Sequence, residues 1–177
     1  MRTLTSHINE ALKIGKNLSK FSNYSCQPAN RKELVTIIRD RISKDGPDCD
    51  LNDIDTSLII DMSGLFFNLK FNGNISNWDT SKVKDMSDMF YGVNFNSDIS
   101  NWNVRNVENM CRMFAHSTFN GDISNWDVHK VKNMALMFSR SKFNQDISNW
   151  KLNKDCNTSY MFTDCHIKEE YKPNMPR

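Results

Sequence analysis

The sequence predicts an α/β repeat solenoid, a stack of five 24-residue strand–helix units closed at one end by an N-terminal helical cap. Three observations predict it. Trp78, Trp102, Trp126 and Trp150 follow one another at intervals of 24 residues, and a fixed period of about 20 to 50 residues is the signature of stacked repeats. Each tryptophan ends nearly the same octet: Phe71-Asn-Gly-Asn-Ile-Ser-Asn-Trp78, Phe95-Asn-Ser-Asp-Ile-Ser-Asn-Trp102, Phe119-Asn-Gly-Asp-Ile-Ser-Asn-Trp126 and Phe143-Asn-Gln-Asp-Ile-Ser-Asn-Trp150. Apolar residues then recur at matched offsets, as Val83, Met86, Met89 and Phe90, as Val107, Met110, Met113 and Phe114, and as Val131, Met134, Met137 and Phe138.

Steps of three, three and one fit one to two helical turns with a buried stripe, so each Val-to-Phe stretch predicts a short helix. Ile-Ser-Asn-Trp is short, holds a β-branched residue and precedes polar turn residues such as Asp79-Thr80-Ser81, which predicts a short strand. Side chains alternate along a strand, so Ile75 and Trp78 both face inward only if the chain corners at Asn77. The tryptophans and methionines then belong to the core; the rival reading of the tryptophans is an exposed aromatic column for carbohydrate or peptide. Two asparagine columns, Asn72, Asn96, Asn120 and Asn144, and Asn77, Asn101, Asn125 and Asn149, are expected to pair with backbone groups of neighbouring units, since buried amides must be satisfied. A cruder first unit lacks the tryptophan: Leu51, Ile54, Ile59, Met62, Leu65 and Phe66 fall at the core offsets. The fifth unit is degenerate, with Asp155 and Thr158 in place of valine and methionine.

Phe-Asn-x-Asp-Ile-Ser-Asn-Trp-Asp-Val followed by Val-x-Asn-Met-x-x-Met-Phe resembles the BspA-like leucine-rich repeat of bacterial surface proteins and mycoplasma lipoproteins, which also occurs on phages and mobile elements. The resemblance covers residues 47–165. It implies a leucine-rich-repeat-like stack that binds proteins or mediates adhesion, without catalytic chemistry, and it suggests a phage- or mobile-element-encoded member.

The remaining segments fall around that stack. In residues 1–14, Leu4, Ile8, Ala11 and Leu12 share one face of an amphipathic helix. Residues 15–30, rich in Ser, Asn and Lys, read as a linker. Asn30-Arg-Lys-Glu33 is a capping box that opens a helix over 31–46 with Leu34, Ile37, Ile38 and Ile42 on one side, ended by Asp45-Gly46-Pro47. That helix is expected to cover the first unit, because an open repeat end leaves apolar surface and backbone edge unprotected. Residues 166–177 form a tail.

Charge and cysteine usage narrow the function. The net charge is +2. Nine Lys/Arg against four Asp/Glu give residues 1–46 a charge of +5, and the rest carries −3. A head so mildly basic is accounted for by an ordinary solvated helix face, so nucleic acid is not an expected partner. Neither a signal-length apolar run nor a membrane-spanning stretch is present. Five cysteines, Cys26, Cys49, Cys111, Cys156 and Cys165, share no repeat column, which argues for reduced thiols in a cytoplasm, a host's if phage-encoded, or inside a virion.

Catalytic and metal signals are absent from the motifs. Asp48-Cys-Asp-Leu-Asn-Asp-Ile-Asp55 mimics a calcium loop, but Asp53 takes the place of its glycine and Ile59 that of its bidentate glutamate. No cysteine–histidine pair has metal-ligand spacing and no serine stands in a nucleophile elbow. No enzyme activity, cofactor or metal is expected. Function must then sit where the repeats differ. Varying stripes are Lys84, Glu108 and Lys132; Asp88, Arg112 and Leu136; Gly92, His116 and Arg140; and Arg105 with His129. Interfaces favour arginine and aromatics, which ranks Tyr91, Arg105, Arg112, His116 and Arg140 first as partner-binding residues. The expected function is a non-catalytic protein–protein interaction module that binds, and inhibits, a host protein. Alternatives are a virion-associated component of a viral assembly docked through residues 1–14, and a cell-surface adhesin.

Overall fold

The computed structural model describes residues 24–176. Asn30 caps helix α1, Arg31–Asp45, by accepting the Glu33 N–H at 3.1 Å. The Glu33 carboxylate reaches back to accept the Ala29 N–H at 2.9 Å, so two backbone donors at the helix start find side-chain acceptors, much as in a capping box. Leu34 and Ile38 are fully buried. They join one hydrophobic core with Leu51, Ile54, Leu65 and Phe66 of the first repeat. Arg41 ties the helix to that repeat through both oxygens of Asp53, at 3.1 and 3.0 Å.

From residue 47 onward the chain winds through five 24-residue coils, and a single column of parallel bridges links them: Asp61 to Asp85, Asp85 to Asn109, Asn109 to Asn133 and Asn133 to Asn157. Each bridge is one residue pair, flanked by turns on both sides. Ile75–Trp78 is such a turn, closed by the Trp78 N–H on the Ile75 carbonyl at 3.2 Å. Its equivalents recur at Trp102, Trp126 and Trp150.

The strand–helix units expected from the sequence are not present. Among the described residues there is one α-helix, α1, and one 3-10 turn, Glu169–Tyr171, and the coils contain neither helices nor named strands. The Met86–Phe90 segment, expected to be helical, consists of tandem turns. Met89 N–H bonds the Met86 carbonyl at 3.3 Å and Val93 N–H the Phe90 carbonyl at 3.2 Å. The third residues of these turns, Asp88 and Gly92, have φ of 56° and 68°, as a type II turn requires. The N–H groups of Met86, Asp88, Phe90 and Gly92 cross to the Asn109, Cys111, Met113 and Ala115 carbonyls of the next coil, each at 2.9 Å. A helix would have used those donors internally. Spending them between coils holds the stack together, and the same apolar spacing serves both geometries.

The turns impose a left-handed backbone on two columns. In one, Gly64, Asp88, Arg112, Leu136 and Tyr160 have φ between 54° and 59°. In the other are Asn68, Gly92, His116, Arg140 and Asp164, at 53° to 68°. L-residues tolerate this region at a cost of roughly 1–2 kcal/mol, and β-branched residues tolerate it least. Leu136→Val is therefore expected to lower stability by about 1 kcal/mol, and Leu136→Gly to leave it unchanged or raise it. Urea melts of the two variants check this.

Three aromatic columns fill the interior. Phe66, Phe90, Phe114, Phe138 and Phe162 stack with successive ring centroids 5.4 to 5.7 Å apart. Phe71, Phe95, Phe119 and Phe143 form a second column at 6.0 to 6.2 Å. The four tryptophans are 3 to 4 % exposed, so the turn at Asn77 does bring them inside. Each indole N–H donates to a carbonyl of the coil before it: Trp78 to Leu51, Trp102 to Ile75, Trp126 to Ile99 and Trp150 to Ile123, at 2.9 to 3.2 Å. Buried indole thereby meets its need for an acceptor.

Asparagines also join the coils. The Oδ1 atoms of Asn72, Asn96 and Asn120 accept the N–H of the next asparagine in the column at 2.8 Å, and Asn144 accepts that of Lys168 at 3.0 Å. The column of Asn77, Asn101, Asn125 and Asn149 is exposed, as Asn72 and Asn96 are. Of these side chains, Asn149 bonds a neighbouring coil through the Ser124 carbonyl.

The ends are finished differently. Cys26, in the segment expected to be a linker, bridges Ile54 in parallel and extends the stack by a fragment before α1 covers the rest. In the fifth coil Asp155 occupies the valine place, and the turn closes one residue later, with Cys156 N–H on the Asn153 carbonyl at 3.0 Å. Cys156, 6 % exposed, fills the core instead. Beyond it Ile167 and Tyr171 start a partial sixth coil, with the Ile147 N–H on the Tyr171 carbonyl at 3.0 Å. The amphipathic helix expected over residues 1–14 lies outside the described residues.

Candidate partner-binding surface

Successive members of a column face one another across coils, and this pairing governs most of the expected site residues. Arg112 forms an ion pair with Asp88, its Nη2 donating to Oδ2 at 2.9 Å and its Nε lying 2.9 Å from Oδ1, which accepts no hydrogen bond among the described residues. That pairing pushes the Arg112 guanidinium above its ordinary value. Arg140 pairs with Asp164 at 3.3 Å, Lys132 with Glu108 at 2.6 Å, and Arg105 with Asp127 at 3.4 Å. His129 Nδ1 also lies 2.6 Å from Asp127. The His129 hydrogen bond is the main reason that the Asp127 carboxyl is held below the ordinary range. Lys132, assisted by Lys84, does the same for Glu108. Exposed pairs of this kind contribute little to stability, but they engage charges that the sequence left free for a partner.

The structure does bring together Tyr91, His116 and a residue that the sequence reading did not single out, Phe67. Phe67 and Tyr91 stack at 4.9 Å with an interplanar angle of 12°. The Tyr91 and His116 rings are 5.1 Å apart. The three side chains come from coils one, two and three and continue as an aromatic strip on the outside of the stack. Phe67 is 46 % exposed, and Leu58 and Ile60 of the same coil are 46 % and 61 % exposed. The backbone explains the placement. Phe67 and Tyr91 hold the second position of the second turn in successive coils and stack on each other, whereas His116 stands one position later in its turn, beside the buried Ala115. The signal was available in Phe66-Phe67, two aromatics in a row of which one must point outward. It went unused because the first unit read as a cruder copy of the others.

The remaining expected residues take other places. Leu136 is half-buried and Lys84 exposed. The acids of the rejected calcium-like loop are used locally: Asp50 accepts the Asn52 N–H at 2.8 Å, Asp53 pairs with Arg41, and Asp55 accepts the Gln27 side chain at 2.7 Å. Asp98 and Asp122 are held below the ordinary carboxylate range by the N–H and then the hydroxyl of the serine two residues on. Beside Asp122 and Asp146 runs a shallow polar groove, lined also by Ser124, Gln145, Ser148 and Asn149. Burial raises the thiols of Cys26, Cys49, Cys111 and Cys156 above their usual value, the direction opposite to that of an activated nucleophile. No group of three or more metal-ligating side chains occurs among the described residues. No described helix is long and apolar enough to cross a membrane.

A stack of near-identical 24-residue coils linked by one column of parallel bridges defines a repeat protein. The family model described as "Mycoplasma protein of unknown function, DUF285" matches residues 41–140. The chain belongs to that family, in agreement with the BspA-like resemblance of its repeats. No curated protein and no solved structure is significantly similar to it.

Proposed function

We propose that the chain is a non-catalytic protein-binding module whose docking surface is the aromatic strip of Phe67, Tyr91 and His116. The observation that carries this reading is the exposure of a large aromatic side chain already stacked on its neighbour. Such side chains contribute contact area at low entropic cost, and aromatics are enriched among residues that dominate binding energy. Leu58 and Ile60 extend the apolar surface in the first coil, and the Arg112–Asp88 pair adds charge beside Tyr91. The strip supports protein binding in general. An inhibitor of a host protein or an adhesin would each use this surface, a packaged component docked through residues 1–14 would not, and the proposal is for binding alone.

The test is quantitative capture from a lysate of the source cells with the full chain, comparing wild type, Phe67→Ser/Tyr91→Ser and Lys172→Glu. A partner should be retained by wild type and Lys172→Glu and fall at least tenfold with the double variant, at an unchanged melting temperature. A partner indifferent to the double variant but lost on removing residues 1–46 would move the interaction to the basic head.

A further inference from the structure

Each of coils one to four donates backbone N–H groups from four alternate residues to the coil that follows. Coil four shows the pattern: Met134, Leu136, Phe138 and Arg140 donate to the Asn157, Ser159, Met161 and Thr163 carbonyls at 2.8 to 2.9 Å. The equivalent donors of coil five are Thr158, Tyr160, Phe162 and Asp164. Among the described residues none of these four N–H groups has an acceptor. The partial sixth coil does not reach them, because Ile167 to Tyr171 cover the side of Phe143 and Ile147. Tyr160 is 73 % exposed and Phe162 is half-buried, with the Lys172 ammonium 5.5 Å from its ring centroid. The opposite end is covered: α1 lies over the first coil, and Arg31 donates to the Ser63 carbonyl, one of the acceptors facing that end.

We infer that the ladder of N–H donors at Thr158, Tyr160, Phe162 and Asp164 is a docking edge for another polypeptide, one carrying the Asn-Met-x-x-Met-Phe pattern of this repeat. Backbone donors at two-residue spacing on an open edge recruit a chain that supplies carbonyls at the same spacing. The four coil interfaces inside the molecule specify which chain fits. The carbonyls come from the residues on either side of the first methionine, from the second methionine itself and from the residue after the phenylalanine, and the methionines and phenylalanine fill the space over Met161 and Phe162. The occupant must also tolerate left-handed backbone at the third residue of each turn, as the members of this repeat do. A second copy of this chain does not qualify, because its own first coil is already covered by α1. This edge is independent of the aromatic strip, which faces outward along the stack.

The probe is a synthetic peptide copying residues 131–142, added to the full chain, with amide hydrogen exchange read residue by residue. Saturating peptide should slow exchange at Thr158, Tyr160, Phe162 and Asp164 at least tenfold and leave the amides of coils two and three unchanged. A control peptide with serine in place of Met134, Met137 and Phe138 should not. Three results would overturn the inference: slow exchange at those four amides before peptide is added, protection that appears elsewhere, or equal protection by both peptides. Concentration-dependent dimerisation that protects the same four amides without peptide would assign the edge to a second copy, against the inference.

Discussion

Trp126→Ala is expected to cost about 3–5 kcal/mol, the range for emptying a buried aromatic site, and so to unfold much of a domain whose total stability is typically 5–15 kcal/mol. Three losses combine. The ring is 4 % exposed and packs against Phe114 at 6.3 Å and Trp150 at 6.5 Å. Its indole N–H satisfies the Ile99 carbonyl at 3.2 Å, which would lose that donor in a buried setting. The site is also mid-stack, so coils on both sides lose a packing face. Trp126→Phe keeps most of the ring and should cost clearly less, isolating the share of the hydrogen bond. Thermal or urea unfolding of both variants measures it. An alanine variant that melts like wild type would show the column to be dispensable to the core.

Gly73→Ala is expected to destabilise by about 2–3 kcal/mol, within the range for forcing extra volume into a packed site, although it adds one methyl group. A Cβ at Gly73 would lie 2.0 Å from the Cys49 carbonyl oxygen and 2.8 Å from the Phe71 ring. The first obstacle is backbone, locked by the Leu51 N–H bond to the Asn74 carbonyl at 2.9 Å and the Asn72 N–H bond to the Pro47 carbonyl at 2.9 Å. Gly121 provides the control. It occupies the same column, and its added Cβ would meet only the Phe119 ring, at 2.9 Å. Ser97 and Gln145 already stand in that column. Gly121→Ala should cost less than about 1 kcal/mol, because a ring edge can rotate where a carbonyl cannot. Equal costs at the two glycines would mean that the first coil is not held as tightly as its hydrogen bonds indicate.

The period, the core columns and the inward tryptophans were legible because they depend on what is buried, and burial is written in the spacing of Phe, Ile, Trp, Val and Met. Backbone conformation was not, because the steps from Val83 to Phe90 fit a helix and a pair of four-residue turns equally well. The discriminating residues were Gly64, Asn68 and Gly92, types that accept positive φ. Arg112, Leu136 and Arg140 stand in the same columns and masked the signal, since none is a usual left-handed residue. The candidate site was legible in part. His116 stands in a variable column and Tyr91 ranks as an aromatic, and the structure brings the two rings together directly and adds Phe67 on the other face of Tyr91. Arg112 and Arg140 stand in columns that also hold their opposites one coil away, Asp88 and Asp164, while Arg105 meets Asp127 of a neighbouring column. Charges 24 residues apart in this chain are neighbours, and a reading along the helix surface could not pair them.

The asparagine column carries a consequence for how such chains change over generations. Asn96 takes from Asn72 what Asn120 takes from Asn96, and the backbone bonds between coils repeat with the same step. A recombination event that inserts or removes one 24-residue module therefore joins surfaces that already match. Neither terminus needs to adjust, and the reading of every retained column is preserved. Lineages carrying this gene can lengthen or shorten the protein by whole modules while the outward residues of each new copy diverge on their own.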